Sequence, residues 1–129
     1  MPSKDQLRIM VVDDMSVSRG LVFNCFEQIG LKNLSYAVDG KQALEMLQKQ
    51  PVHVVVSDYN MPGMDGLDLL KEIRSNPRTA RIGFILLTGA ADPTVIERGK
   101  KLGMNNFMKK PFEPARLKTC LEKVVGPLQ

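Results

Sequence analysis

Tryptophan is absent from this chain, histidine occurs once and cysteine twice. Each scarcity removes a class of function. Cys25 and Cys120 form no C-x-x-C pair and no Cys/His cluster, which excludes a zinc site and a disulfide framework. Both fall inside helix-like patterns and read as small buried thiols of a reducing compartment. His53 stands just before a strand core without a motif partner and reads as structural or surface. No apolar stretch approaches the roughly 20 residues that a membrane helix needs. The N-terminus, Met1 to Gln6, is polar and lacks the apolar segment of a signal peptide. It reads as a short frayed lead-in to one domain spanning residues 1–129. The net charge is +4, yet the basic residues are scattered. One small cluster, Arg98, Lys100, Lys101, Lys109 and Lys110, suits a solvated face or a docking surface for an acidic protein. A nucleic-acid reader would show a basic stripe or an aromatic-basic motif.

What is present is a regular alternation of short apolar runs and helical patterns. Residues 8–12, 33–38, 52–57, 82–87 and 105–108 read as strands. The third is apolar through its middle, as in a strand covered on both faces. Residues 16–29 read as a helix with Val17, Leu21, Phe26 and Ile29 on one stripe and Gly30 closing it. A helix over 41–50 turns Ala43, Leu44 and Leu47 inward. Asp65 caps a helix over 66–75 carrying Leu67, Leu70 and Ile73. Asp92-Pro93 starts a helix over 93–102, a poor one, because Thr94, Val95 and Ile96 are β-branched and Gly99 interrupts it. Glu113-Pro114 starts the last, with Leu117, Leu121 and Val124 at helical spacing. Strand then helix, five times over, predicts an α/β fold: a doubly wound parallel sheet in a three-layer sandwich.

Four of the apolar runs end at, or one residue short of, a polar group of a different kind. Ile9 to Val12 meets Asp13-Asp14, Val54 to Ser57 meets Asp58, Phe84 to Leu87 meets Thr88, and Phe107-Met108 meets Lys109-Lys110-Pro111. In a parallel sheet these exits share the edge where ligands bind. Clustered carboxylates repel, and a hard divalent cation such as Mg²⁺ relieves the repulsion. A carboxylate can also act as a nucleophile toward phosphorus, and Asp58, on the middle run, is the best placed. An ammonium from Lys110 and a hydroxyl from Thr88 could then stabilise phosphoryl oxygens.

These residues resemble the response-regulator receiver domain of two-component signalling, and within it the single-domain chemotaxis regulators. Ser57-Asp58-Tyr59-Asn60-Met61-Pro62-Gly63-Met64-Asp65-Gly66 is the most specific stretch, and Asp13-Asp14, Leu87-Thr88 and Lys110-Pro111-Phe112 fit at the right separations. The resemblance spans roughly residues 7–126. It implies the flavodoxin-like strand order 2-1-3-4-5 known for these regulators. It further implies that Asp58 accepts a phosphoryl group from a histidine kinase. Mg²⁺ would be bound by Asp14, Asp58 and the main-chain carbonyl of Asn60, with Asp13 acting mostly through water. Lys110 would contact the phosphoryl group, and its bond to Pro111 would be cis. Thr88 and Phe107 would form the switch. The fourth helix, fifth strand and fifth helix would present the partner face, with Lys100, Lys101, Met104 and Lys109 on or near it. A cytoplasmic monomer, not a multiple-turnover enzyme, that acts on the flagellar motor switch is the implied setting. Since no output domain follows residue 129, the signal would be read by protein contact.

The chain departs from the family pattern at four positions. Phe107 replaces a tyrosine, Ala90 an acidic residue, Met104 a small one and Lys109 an apolar one. These bear on which partner reads the signal. A phosphorelay intermediate or another stand-alone receiver is the alternative within the family. An aspartate-nucleophile phosphatase would carry D-x-D after the first strand, where this chain has adjacent acids. A flavodoxin-like carrier would need a phosphate loop where Asp13-Asp14 would repel the flavin phosphate.

Overall fold

The computed structural model describes residues 3–89 and 92–128. Five strands and five helices alternate: β1 Arg8–Val12, α1 Ser16–Ile29, β2 Asn33–Ala37, α2 Gly40–Lys49, β3 Val54–Asp58, α3 Gly66–Ser75, β4 Gly83–Thr88, α4 Pro93–Lys101, β5 Asn106–Lys109 and α5 Pro114–Val125. The strands form one parallel sheet in the order β2-β1-β3-β4-β5. This is the doubly wound α/β sandwich that the periodicity predicts, in the flavodoxin-like order that the resemblance implies. No helix among the described residues is long and apolar enough to cross a membrane.

The period of two in the central strands explains the three layers. Ile9, Val11, Val54, Val56, Ile85 and Leu87 pack with Val22, Phe26 and Ile29 of α1 and with Leu117 and Leu121 of α5. The alternate residues, Met10, Val12, Val55, Phe84 and Leu86, pack with Ala43 and Leu47 of α2, Leu67, Leu70 and Ile73 of α3, and Val95 of α4. Each fully buried Leu, Ile or Phe contributes about 1.5–3 kcal/mol of hydrophobic stabilisation. Strands β3 and β4 are buried along their whole length, as a strand covered on both faces must be.

The predicted stripe of α1 needs correction. Val17 and Leu21 are 75% and 62% exposed, and the buried face is Val22, Cys25, Phe26 and Ile29. Those four keep the i, i+3, i+4, i+7 spacing, whereas Val17 and Leu21 fall on a separate face. Boundaries shift as well. Asp58, Thr88 and Lys109 are strand residues, because backbone pairing with the neighbouring strand continues one residue past the apolar run. At the other end of the chain, Gln6 and Leu7 donate their amides to the Ser3 carbonyl and Leu7 is fully buried, so the lead-in is tied down from Ser3 onward.

Local capping follows the sequence. Asp65 and Asp68 form a reciprocal capping box at the start of α3, and Asp92 accepts from the Thr94 amide ahead of Pro93. Such caps are worth about 1 kcal/mol each. His53 accepts the Arg8 amide through Nδ1, which is the structural role expected of it. Cys25 and Cys120 are free and buried. Burial pushes both thiols up, Cys120 to about 11, which leaves them protonated and unreactive at neutral pH.

Candidate functional site

Two strand exits, those of β1 and β3, bring three acids together. One carboxylate oxygen from each of Asp13, Asp14 and Asp58 lies within 4.8 Å of the others. Asp13 and Asp58 are buried and Asp14 is half-buried. Asp13 Oδ1 accepts the Met15 amide at 2.9 Å, which ties the acid to the turn entering α1. Asp13 Oδ2 and Asp14 Oδ1 are buried and find no hydrogen-bond partner among the described residues. Orphaned anionic oxygens of this kind are costly inside a protein. A hard divalent cation that prefers oxygen fits this set of three carboxylates.

Lys110 reaches the site from the loop after β5. Its Nζ donates to Asp58 Oδ1 at 2.9 Å and to Ser18 Oγ at 3.1 Å. The lysine and aspartate side chains are 28% and 11% exposed, so the pair is largely shielded. Burial nevertheless lifts the Asp58 carboxyl above the ordinary carboxylate range. The Lys110 ammonium pulls it back, and the neighbouring Asp13 charge adds to the lift. The ion pair thus offsets part of the cost of burying Asp58 and does not cancel it.

The loop after β3 shapes the cleft beside Asp58. Gly66 donates its amide to the Tyr59 carbonyl at 2.9 Å and closes residues 59–66 back on the strand. A Cβ at Gly66 would stand 2.6 Å from the Asp58 carbonyl oxygen and 2.8 Å from Leu86, so only glycine allows this approach. Asn60 is exposed on that loop. The Lys110–Pro111 bond is cis, as the resemblance implies.

Strand alternation divides the remaining residues between the two faces of the sheet. Asp58 follows Val54 and Val56 in parity, toward α1 and α5, where it meets Lys110. Thr88 follows Phe84 and Leu86, toward α4, and is 3% exposed. Phe107 is half-buried against that second core. Thr88 pairs with Lys109 across β4 and β5, and its carbonyl accepts the Lys110 amide at 2.8 Å. Lys100, Lys101 and Lys109 are exposed, and Met104 is half-buried against Gly99. Ala90 lies outside the described residues.

Ser18 was not anticipated. It sits in the first turn of α1, four residues before the buried Val22, and so heads the core-facing stripe. A hydroxyl in line with Val22 and Cys25, next to a strand exit, is the signal that would have found it.

The family model of the response regulator receiver domain matches residues 9–122. A probable chemotaxis protein CheY of Rhizobium etli is 38% identical over 125 residues, covering 97% of each chain. Among solved structures, the Vibrio cholerae chemotaxis protein CheY4 superimposes with a TM-score of 0.85 at 30% identity, covering 92% of this chain and 98% of that one. The receiver domain of a sensor histidine kinase from Pseudomonas aeruginosa, solved with a magnesium ion coordinated in its active site cleft, gives 0.84 at 27% identity over 94% and 98%. The chain belongs to the response regulator receiver family.

Proposed function

We propose that this receiver-family chain is a stand-alone, chemotaxis-type response regulator in which Asp58 accepts a phosphoryl group from a histidine kinase. The observation that carries the reading is the trio of carboxylates within 4.8 Å, with the Lys110 ammonium 2.9 Å from Asp58 Oδ1. Asp58 attacks phosphorus through a carboxylate oxygen. A P–O bond forms, the P–N bond to the donor imidazole breaks, and its electron pair stays on that nitrogen. Asp13, Asp14, Asp58 and the main-chain carbonyl of Asn60 would hold Mg²⁺, which suits an oxygen donor set that leaves room for water and a phosphoryl oxygen. When bound, the ion supplies positive charge against the charge that builds on the phosphoryl oxygens. Lys110 supplies a second positive charge from the side of α1, and Thr88 a hydroxyl from the side of α4. Burial of Asp58 keeps bulk water away from the acyl phosphate.

Thr88 and Phe107 read the modification, and the face of α4, β5 and α5 passes it to a protein target. Lys100, Lys101 and Lys109 are exposed there, which favours a target with acidic character. The flagellar motor switch is the proposed target. Binding to it with and without an acyl-phosphate mimic separates it from a phosphorelay partner, and equal binding in both states would remove it. The chemistry has a direct test. With acetyl phosphate and Mg²⁺, the wild type takes label and Asp58→Asn takes none. Full labelling of the variant would mean that another group is the nucleophile.

A further inference from the structure

We propose that Ser18 is a positioning residue for Lys110, an anchor on α1 that keeps the ammonium at the reacting centre while its partner Asp58 changes chemistry. The inference rests on the phosphoacceptor reading of Asp58. In the unmodified site, among the described residues, Lys110 Nζ has two hydrogen-bond contacts, Asp58 Oδ1 at 2.9 Å and Ser18 Oγ at 3.1 Å. They differ in permanence. Phosphoryl transfer consumes an Asp58 carboxylate oxygen: the P–O bond forms there, and the donor keeps the electron pair of the bond that breaks. The full carboxylate charge that drew Lys110 is lost at that moment, whereas the Ser18 hydroxyl is untouched.

The anchor is also fixed where the lysine is not. Ser18 heads the stripe that continues through Val22, Cys25, Phe26 and Ile29, all buried, so its place is set by the packing of α1. Lys110 belongs to the loop between β5 and α5 and ends a flexible four-carbon stem. A hydrogen bond from a rigid element removes part of that freedom before the reaction, which is how a positioning residue lowers a barrier. Serine accepts from the ammonium without adding charge, so it does not compete with the phosphoryl oxygens for Lys110.

Rapid-quench labelling with acetyl phosphate and Mg²⁺ tests this. Ser18→Ala should label about fivefold more slowly at saturating donor with an unchanged half-saturating concentration, and Ser18→Thr should stay within about twofold of wild type. Alanine is the better helix former, so misfolding does not mask the result. In a Lys110→Ala background, Ser18→Ala should have no further effect, since it acts through the lysine. A wild-type rate for Ser18→Ala, or an equal loss in both backgrounds, overturns the proposal and leaves Asp58 in place. Absence of labelling in the wild type overturns both.

Discussion

Helix α1 spans 14 residues and buries Val22, Cys25, Phe26 and Ile29, whereas α4 spans 9 residues and buries only Val95 and Gly99. The two flank opposite faces of the sheet. Behind α1 stand Asp58 and Lys110, and Ser18 is on the helix itself; these are the groups assigned to the chemistry. Behind α4 stand Thr88 and Phe107, the groups assigned to reporting it. Chemistry needs groups held in place, and a dense apolar stripe supplies that. Reporting needs an element whose two arrangements differ little in energy. A helix with β-branched residues at 94–96, a glycine and one buried apolar side chain meets that need. Helices α1 and α4 are therefore packed to different strengths.

Truncations should expose that contrast most strongly. Phe26→Ala should cost about 3–5 kcal/mol in urea unfolding, Val95→Ala about 1–2, and Leu21→Ala under about 0.5 because it is solvent-facing. Equal costs for Phe26 and Val95 would erase the difference between the two helices.

The acids provide a second probe. The folded-state pKa of Asp58 is raised, so the stability this group contributes is full below the unfolded carboxylate pKa and is lost as pH rises through the folded value. In metal-free buffer the wild type should lose stability relative to Asp58→Asn as pH rises from about 4 toward neutrality. Thermal unfolding should place the variant a few degrees higher at pH 7. Added Mg²⁺ should raise the wild-type Tm and raise that of Asp13→Asn far less. A variant less stable than wild type without metal would contradict the account of a site strained by its own charges.

The smallest effect concerns how α4 rests on the sheet. A Cβ on Gly99 would lie 2.8 Å from Met104 Sδ, so the glycine makes room for the methionine. Gly99→Ala should be close to neutral, its better helix propensity offset by the shift it forces on the flexible Met104 side chain. With Met104→Ala in place, the same change should become stabilising by up to about 1 kcal/mol. Additive behaviour in that cycle would show that the two do not share one space.

Much of this was legible because it rests on period and punctuation. Apolar runs in β1, β3 and β4 ending at Asp13, Asp58 and Thr88 define both the sheet and the edge where its polar groups gather. Asp65 and Asp92 mark helix starts by a local side-chain hydrogen bond, which sequence states directly. What escaped depends on contacts far apart in the chain. Ser18 and Lys110 are 92 residues apart, and only the folded sheet brings them together. The face of α1 was misjudged because Val17 and Leu21 form a second apolar row, and periodicity alone does not say which row meets the core. The match of Gly99 to Met104 was hidden likewise, since each looked like an isolated departure.

The central claim is that Asp58, among the three clustered acids, carries the phosphoryl group. Borohydride converts an acyl phosphate on aspartate to homoserine, which peptide mass spectrometry locates. After acetyl phosphate and Mg²⁺, homoserine is expected at position 58 and nowhere else. Homoserine at position 13 or 14, or none at any of the three, would contradict it.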